Sequence, residues 1–220
     1  MKAIVLFSGG LDSTVLLAIA LNRGCQCHAL SFDYQQRHRV ELDAACAIAQ
    51  HYGIDHSVIV FDRTVFAKSS SFLVSDTPAS GIPSTYVPAR NTLFLAYAAG
   101  QAEMIGAEEI YLGSNTHDHA GYPDCRPLFV EAFQKVLNVA TQQAVEGRPP
   151  QLVTPLLHMD KADIIRKGKE LQAPLHLTLS CYAPPGAGLH CRQCDACRLR
   201  QEGFAATGIE DPTQYCDFLT

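Results

Sequence analysis

The hydrophobic positions of the chain fall into short uninterrupted runs that alternate with longer amphipathic stretches. The first run, at residues 3–7, is continuous rather than alternating, which is typical of a strand buried on both faces. Runs of the same kind predict further strands at 27–32, 57–61, 109–113 and 151–153. Apolar residues at helical spacing predict helices at 15–23, 40–52, 91–105, 128–141 and 156–171, the last of them starting near Asp160.

This alternation predicts the fold class: an α/β fold with a doubly wound, mostly parallel sheet and right-handed crossovers. We expect an α/β domain at residues 1–175 and a small C-terminal segment at 176–220. Residues 62–88 break the alternation with a stretch rich in Ser, Thr, Pro and Gly. A loop of this length is either a mobile excursion over a functional site or a variable surface insertion.

Composition and charge exclude several classes of protein. The chain has 220 residues, 47% of them hydrophobic and 18% charged, as expected for one globular domain with a small appendage. No apolar run approaches the ~20 residues of a membrane span. The net charge is −5 and basic residues form no cluster, so direct nucleic-acid binding has no electrostatic support. The start of the chain lacks the features of a signal peptide, so we expect a cytoplasmic protein with no membrane partner.

The segment between the first strand and the first helix carries a strong chemical signal. It reads Ser-Gly-Gly-Leu-Asp-Ser-Thr at residues 8–14. Its glycines permit positive φ and close approach of a ligand, and the first helical turn offers free N–H groups to a phosphate, with Asp12 and Ser13 as candidate N-caps. The lysine of a Walker A motif is missing, so backbone N–H groups and hydroxyls would bind pyrophosphate while Asp12 holds Mg²⁺. An ordinary capped turn is the alternative.

This loop resembles the pyrophosphate loop of the N-type ATP pyrophosphatases, which cleave ATP to AMP and pyrophosphate and so adenylate a carbonyl oxygen. The resemblance implies an adenine nucleotide alpha hydrolase-like fold and catalytic roles for Asp12 and Ser13. Lys161 is a further catalytic candidate, because a lysine in a first helical turn opposes the helix dipole unless a phosphate is bound there. The expected ATP contacts are Phe7, Ser8, Gly9, Gly10, Leu11, Asp12, Ser13, Thr14, Val15, Leu16 and Leu17.

Polar side chains gather in the loops after the predicted strands, at the edge of an open sheet where ligands bind. Carboxylates, amides and guanidinium groups there suit a purine-like ring and a substrate carboxylate. Any one of them can instead cap a helix or shape a turn, and Asn91 is a candidate N-cap. His117 and His119 are expected to make polar contacts rather than to bind a metal. The candidate substrate-binding residues are Tyr34, Arg37, Arg90, Asn91, Asn115, Asp118, Tyr122, Asp124 and Arg126.

Four of the nine cysteines form a spaced cluster near the C-terminus. The pattern C-x9-C-x2-C-x2-C suits a tetrahedral four-thiolate zinc site of structural type, with Cys181, Cys191, Cys194 and Cys197 as ligands. An iron–sulfur cluster, redox-active thiols and unligated cysteines are the alternatives, and His190 is a candidate substitute ligand. The other cysteines show no partner spacing, although Cys125 lies in a candidate site loop, where a nucleophilic role stays open.

Taken together, these segments resemble the 7-cyano-7-deazaguanine synthase family of queuosine biosynthesis. The match extends in order over nearly the whole chain, and its narrowest motifs are Gly121-Tyr-Pro-Asp-Cys-Arg126 and the four-cysteine tail. The resemblance implies that 7-carboxy-7-deazaguanine, ammonia and ATP give the nitrile through an adenylated carboxylate and an adenylated amide. It also implies one structural zinc ion per chain, Mg²⁺ with ATP, Arg90 or Arg126 on the substrate carboxylate, Asp118 or Asp124 on the guanine-like edge, and a homodimer.

The chain departs from the family pattern at a few positions. Gln35, Ala89 and Arg192 stand where the family usually has glycine, and these changes require only compatible backbone angles. His119-Ala120 replaces a usual Tyr/Phe-Ser pair in the expected substrate loop. Three alternatives therefore stay open: a related enzyme that acts on RNA in the manner of a tRNA thiolase, an enzyme that attaches a deazaguanine to another acceptor, and a nucleotide-binding scaffold without turnover.

Overall fold

The strands of the chain form one parallel sheet in the computed structural model. The structure describes residues 1–34, 36, 40–62, 64–66, 69, 71, 85–186 and 188–216, and of residue 120 only the backbone. The spatial order of the strands is β3-β2-β1-β4-β5, and each neighbouring pair is parallel. The predicted fold class, a doubly wound parallel sheet, is confirmed. The strands are β1 (Lys2–Leu6), β2 (Gln26–Asp33), β3 (Asp55–Val60), β4 (Glu109–Tyr111) and β5 (Gln151–Val153).

Helices cover both faces of this sheet, and alternate residues of β1 show why. Ala3 and Val5 enter one hydrophobic cluster, while Ile4 and Leu6 enter the other, so the continuous apolar run serves two cores. No helix among the described residues is both long enough and apolar enough to cross a membrane. The helices are α1 (Leu11–Asn22), α2 (Val40–Tyr52), α3 (Arg90–Ile105), α4 (Thr116–Gly121), α5 (Pro127–Ala140), α6 (Gln142–Val145), α7 (Lys161–Glu170) and α8 (Asp195–Thr207).

The strand order reverses between β1 and β4. The chain runs outward from β1 through β2 to β3 on one side, whereas β4 and β5 lie on the other side. At such a reversal, the loops that leave the two central strands diverge and open a crevice at the carboxyl edge of the sheet. The predicted pyrophosphate loop follows β1, and the polar segment at residues 114–127 follows β4, so the topology brings both to this crevice.

Several local predictions were wrong. Helix α1 begins at Leu11 with Gly10 as N-cap, so Asp12 and Ser13 lie inside its first turn. Helix α3 has Ala89 as its N-cap, and Asn91 is its second residue rather than a cap. The segment taken as an irregular loop after β4 contains α4 and a 3-10 turn (Pro123–Cys125), because the Asn115 and Asp118 side chains form a capping box that starts a short helix.

The C-terminal residues pack directly against the rest of the chain. The Leu179 N–H donates to the Gly9 carbonyl at 3.1 Å, and a Cβ placed on Gly203 of α8 would lie 2.6 Å from Cγ of Lys161. The domain division near residue 175 stays a prediction. The predicted excursion at residues 62–88 falls mostly outside the described residues.

Candidate active site and metal centre

A cavity of about 300 Å³ opens at the carboxyl edge of the sheet, between the ends of β1 and β4. It is lined by the loop after β1, by residues that follow β2 and β4, and by residues of the four-cysteine segment. The topology therefore brings together side chains that lie far apart in the sequence. The lining residues that the sequence predicted as site residues are Phe7, Ser8, Asp12, Ser13, Tyr34, Arg90, Asn91, Asp118, Tyr122 and, as a metal ligand, Cys181.

Hydroxyl groups fix the backbone of the loop at residues 8–13. The Ser13 hydroxyl accepts from the Ser8 N–H at 3.2 Å, and the Ser8 hydroxyl accepts from the Gly10 N–H at 3.3 Å. Gly9 adopts a φ of +81°, which favours glycine. The rest of the expected ATP segment serves the core, since Val15, Leu16 and Leu17 are fully buried beneath the loop.

Asp12 joins three segments of the chain. Lys161 Nζ lies 2.7 Å from both carboxylate oxygens of Asp12, and Asn115 Nδ2 donates to one of them at 3.0 Å. Lys161 and Asn115 do not themselves line the cavity, but they position a residue that does. The helix start that carries Lys161 is set by a capping box between Asp160 and Asp163. A carboxylate and an ammonium group are thus paired at the side of the predicted phosphate site.

Arg90 extends its guanidinium into the cavity over aromatic rings. Its Cζ lies 5.7 Å from the ring centroids of both Tyr34 and Phe94, and its NH1 donates to the Tyr34 hydroxyl at 3.3 Å. Phe94 in turn stacks on Phe32 with 3.9 Å between the ring centroids. Stacking fixes the guanidinium plane, and an Arg held this way can bind a carboxylate through two parallel hydrogen bonds.

Asp124 and Asn91 are used to anchor helix α3. The buried Asp124 carboxylate accepts the Asn91 N–H at 2.9 Å, and the Asn91 side chain donates to the Asp124 carbonyl and to the Cys125 sulfur, each at 3.1 Å. Asp124 does not line the cavity, whereas Cys125 does. Burial, together with the charge of Asp118, raises the pKa of Cys125 to about 12. A thiol with that pKa stays protonated near neutral pH, which disfavours a nucleophilic role.

Asp118 presents a partly buried carboxyl group to the cavity. Burial and the nearby charge of Asp12 raise its pKa, although the Asn115 N–H donates to its Oδ2 at 3.0 Å and favours the ionised form. Arg126 lies away from the cavity and donates through Nε to the carbonyl of His119 at 3.1 Å. The predicted substrate contact Arg37 falls outside the described residues.

Sequence reasoning missed several lining residues. Ser114 lies in the polar segment that the rule on strand ends places at this edge, although it is not among the candidate substrate-binding residues. Glu41 carried no sequence signal, and burial raises its pKa from the usual 4.5 to about 7, against the opposing effects of a 2.9 Å hydrogen bond from Gln36 and of the Arg90 charge. Among the lining residues absent from the candidate lists are Gln36, Glu41, Thr85, Phe94, Ser114 and Tyr182.

The four clustered cysteines form a candidate metal centre beside this cavity. Their sulfur atoms all lie within 4.8 Å of one another, and the separations are 3.9 Å for Cys191–Cys197 and 4.0 Å for Cys194–Cys181. A tetrahedral site with zinc–sulfur bonds of ~2.3 Å has sulfur–sulfur edges of ~3.8 Å, so the donor set fits such an ion. His190 is turned elsewhere, because its Nε2 accepts the Ser180 N–H at 3.2 Å. Cys181 and its neighbour Tyr182 line the cavity, so the metal centre adjoins it.

Solved structures of other proteins share this fold at low sequence identity. The U34-tRNA thiolase NcsA from Methanococcus maripaludis, solved with its 4Fe-4S cluster, is 17% identical with a TM-score of 0.51, over 94% of this chain and 65% of that chain. A 4-thiouridine synthetase in complex with RNA and bound ATP is 20% identical with a TM-score of 0.51, over 93% of this chain and 53% of that one. At such identities, the likeness establishes the fold alone.

Comparison by sequence is far more specific. The family model described as queuosine biosynthesis protein QueC matches residues 2–208. The 7-cyano-7-deazaguanine synthases of Methylococcus capsulatus and Thiobacillus denitrificans are each 50% identical over 218 residues, which is 97% of this chain and 98% and 97% of those relatives. The synthase of Pseudomonas syringae pv. tomato is 48% identical over 219 residues, 97% of each chain. The chain therefore belongs to the QueC family of queuosine biosynthesis.

Proposed function

We propose that the chain is a 7-cyano-7-deazaguanine synthase, an ATP-dependent enzyme that converts 7-carboxy-7-deazaguanine and ammonia into the nitrile. One observation carries this proposal: a single cavity is lined both by the hydroxyl-framed loop with Asp12 and by the stacked guanidinium of Arg90 with the Asp118 carboxyl. The first group suits the phosphates of ATP, and the second suits a carboxylate on a purine-like ring. The family membership of the whole chain supports the same substrates.

The reaction would proceed through two adenylations. A carboxylate oxygen of the substrate attacks the α-phosphorus of ATP and releases pyrophosphate, and ammonia then displaces AMP to give an amide, with one proton leaving the nitrogen. The amide oxygen attacks a second ATP, and loss of pyrophosphate, AMP and the two remaining N–H protons leaves the nitrile. A carboxylate is already a nucleophile, so this chemistry requires alignment more than a base in its first step.

The loop at residues 8–13 would bind the phosphates through backbone N–H groups at the start of α1. Asp12 would then exchange its contact with Lys161 for Mg²⁺, and Lys161 Nζ would be released toward the phosphates. Mg²⁺ bound with ATP would neutralise charge on the leaving pyrophosphate. The 2.7 Å contacts between Lys161 and Asp12 support this assignment, because they place the ammonium group beside the loop.

Arg90 would bind the substrate carboxylate, and Asp118 would accept hydrogen bonds from the guanine-like edge, between the phenol rings of Tyr34 and Tyr122. Asp124 and Asn91 would act through α3, because their polar groups already bond to each other and fix the helix start that carries Arg90. Arg126 is the weaker candidate for the carboxylate, since it lies outside the cavity.

We further propose that the four cysteines hold one structural zinc ion. The tetrahedral sulfur spacing supports zinc, and all four thiolates would be used, as in closed structural sites. We also propose a homodimer, for which the resemblance to the family is the basis, and a cytoplasmic location. Light scattering on the purified protein tests the first, and fractionation of the producing cells tests the second.

The test of the main proposal uses purified protein with ATP, Mg²⁺, ammonium and 7-carboxy-7-deazaguanine, with products identified by mass spectrometry. We expect nitrile, AMP and pyrophosphate. Asp12→Asn should abolish turnover in a folded protein, while Asp43→Asn, which removes an exposed carboxylate from the first turn of α2, should not. A folded, metal-loaded protein that forms no nitrile would refute the assignment, and thiolated RNA from a parallel reaction with tRNA would favour the thiolase alternative.

A further inference from the structure

The four-cysteine segment touches the nucleotide loop through a hydroxyl group. The Leu11 N–H, at the first residue of α1, donates to the Ser180 hydroxyl at 3.2 Å across 169 residues of sequence. Next to this contact, the Leu179 N–H donates to the Gly9 carbonyl at 3.1 Å. A Cβ placed on Gly10 would lie 3.6 Å from both the Ser180 hydroxyl oxygen and the Leu179 carbonyl oxygen. The segment therefore lies in direct contact with the loop backbone.

Ser180 completes a set of hydroxyl groups that frame the loop. Within the loop itself, the Ser13 hydroxyl accepts from the Ser8 N–H and the Ser8 hydroxyl accepts from the Gly10 N–H. The Leu11 N–H, which belongs to the turn that would face a phosphate, is held by Ser180 instead of by a loop residue. A hydroxyl that accepts one hydrogen bond still has its own proton, which it can donate to a phosphate oxygen.

The position of Ser180 is in turn tied to the metal centre. Its backbone N–H donates to His190 Nε2 at 3.2 Å, and the next residue is Cys181, a member of the four-cysteine cluster. The Cys181 sulfur also accepts the Cys191 N–H at 3.2 Å. A metal ion that fixes Cys181 therefore restrains the adjacent serine, in the way that outer contacts and metal ligands orient one another.

We propose that Ser180 is a positioning residue for ATP binding and that it makes the affinity for ATP depend on occupancy of the four-cysteine metal site. This inference rests on the proposed role of residues 8–13 in binding ATP. When Cys181 is released from the metal, the Ser180 hydroxyl loses its fixed distance to the Leu11 N–H, and the loop loses an anchor. Coupling between two binding sites is reciprocal, so bound ATP must also strengthen metal binding by the same factor.

The first test compares Ser180→Ala with Ser180→Thr, which keeps the hydroxyl. The dissociation constant of MgATP is measured by calorimetry, and metal content by mass spectrometry. A single hydrogen bond of ordinary strength predicts a loss of affinity of about three- to tenfold for Ser180→Ala at unchanged metal content, with recovery in Ser180→Thr. Ser57→Ala, on β3, is the control, because that hydroxyl bonds only to His28 among the described residues.

Steady-state kinetics give an independent measure of the same role. We expect Ser180→Ala to raise the KM for ATP by a similar factor while kcat and the KM for the deazapurine acid stay within about twofold. If Ser180→Ala binds MgATP as tightly as the wild type, or more tightly, the positioning role is overturned. Tighter binding would mean that the hydroxyl competes with phosphate for the Leu11 N–H.

The coupling is tested on the intact, metal-loaded protein, so it does not depend on a stable metal-free form. The affinity for zinc is measured by competition with a chelator that does not bind Mg²⁺, with and without MgATP. MgATP should strengthen zinc binding in the wild type by about three- to tenfold and have a smaller effect in Ser180→Ala. Equal effects of MgATP on both proteins would overturn the coupling.

Failure of this inference and failure of the proposed function are distinguishable. MgATP binding is measured without any deazapurine, so a wild type that binds MgATP but forms no nitrile refutes the reaction and leaves the Ser180 comparison valid. A wild type that forms nitrile, together with an unaffected Ser180→Ala, refutes only the inference. A folded wild type that does not bind MgATP refutes both.

Discussion

Gly9→Ala is expected to destabilise the protein far more than its small change in size suggests. Gly9 has a φ of +81°, and a Cβ built on it would lie 2.5 Å from two backbone atoms of α2, the Ala45 nitrogen and the Glu41 carbonyl oxygen. Backbone atoms cannot rotate away as a flexible side chain can. The substitution must therefore move the loop, helix α2 or both.

The expected loss of unfolding free energy in Gly9→Ala has two parts, and the chain offers a control variant that separates them. An alanine in the left-handed region costs about 1–2 kcal/mol, and overpacking against a fixed neighbour costs about 1–3 kcal/mol more. Gly24 has a φ of +79° with no atom within 4 Å of an added Cβ, so Gly24→Ala carries only the first part. We expect Gly9→Ala to lower the free energy of unfolding by roughly 2–5 kcal/mol and Gly24→Ala by roughly 1–2 kcal/mol.

Urea unfolding followed by circular dichroism measures both variants, and thermal melting provides a second reading. The steric part alone corresponds to a difference in Tm of about 2–12 °C between the two variants for a chain of this length. Gly9→Ala should also weaken MgATP binding in its folded fraction, whereas Gly24→Ala should not. Equal destabilisation by the two substitutions would refute the steric part of the reasoning, because it would show that α2 can move away from an added Cβ at little cost.

Further predictions concern the backbone, the buried carboxyl group and the metal. Ala89→Gly should raise the free energy of unfolding by roughly 0.5–1 kcal/mol, because the φ of +53° at this helix cap strains an alanine; a lowered Tm would contradict this. Burial raises the pKa of Glu41 to about 7. The contribution of its protonated carboxyl group to the free energy of unfolding is therefore fully present below pH 4.5 and is lost as the pH rises through 7. Wild type should therefore lose up to about 3 kcal/mol relative to Glu41→Gln between pH 4.5 and 8, and a parallel pH dependence of the two would refute the assignment; Asp43→Asn should follow the wild type. Cys194→Ser should lose stoichiometric metal and melt at a lower temperature, and a metal-loaded variant of unchanged Tm would contradict the four-cysteine centre.

The sheet was predictable because the sequence code for a buried strand is local. The run at residues 3–7 needed no knowledge of distant segments, and the observed strand Lys2–Leu6 differs from it by one residue at each end. The same holds for the cysteines, whose spacing alone indicated one cluster. Where a short pattern specifies both the element and its burial, sequence reasoning succeeded.

The contacts inside the site were not predictable, because no pattern states which distant residues meet. The Asp12–Lys161 pair spans 149 residues, and the Leu11–Ser180 contact spans 169. Helix α4 was missed for a different reason. Its six residues show little apolar periodicity, and its start depends on the Asn115 and Asp118 side chains, which equally suit a turn.

The backbone angles at the positions where this chain replaces a usual glycine of the family were also not predictable from the sequence. The family usually has glycine at residues 89 and 192, and both positions have positive φ here, +53° and +64°. At Arg192, two contacts offset part of this backbone strain. The guanidinium lies 5.2 Å from the ring centroid of Tyr215, and the backbone carbonyl of Arg192 accepts a hydrogen bond from the Gln201 side chain at 3.2 Å. At Ala89, the N–H donates to the Tyr86 hydroxyl at 3.3 Å and the carbonyl accepts the Leu93 N–H at 3.2 Å, and a glycine would keep both of these backbone hydrogen bonds. Glycine is therefore expected to stabilise position 89 more than position 192.

The loop at residues 8–13 is shaped largely from outside itself. Helix α2 packs against Gly9, Asn115 and Lys161 hold Asp12, and Ser180 holds Leu11, and these four supports come from separate parts of the chain. In the proposed function, a loop built in this way would offer an ordered phosphate site without a Walker lysine, because preorganised N–H groups and the Lys161 ammonium group would supply the positive potential. With ATP bound at this loop as proposed, stability and ATP binding would depend on the same contacts. Substitutions at these supports should therefore reduce ATP affinity and unfolding free energy together, whereas substitutions in the distant core should affect unfolding alone.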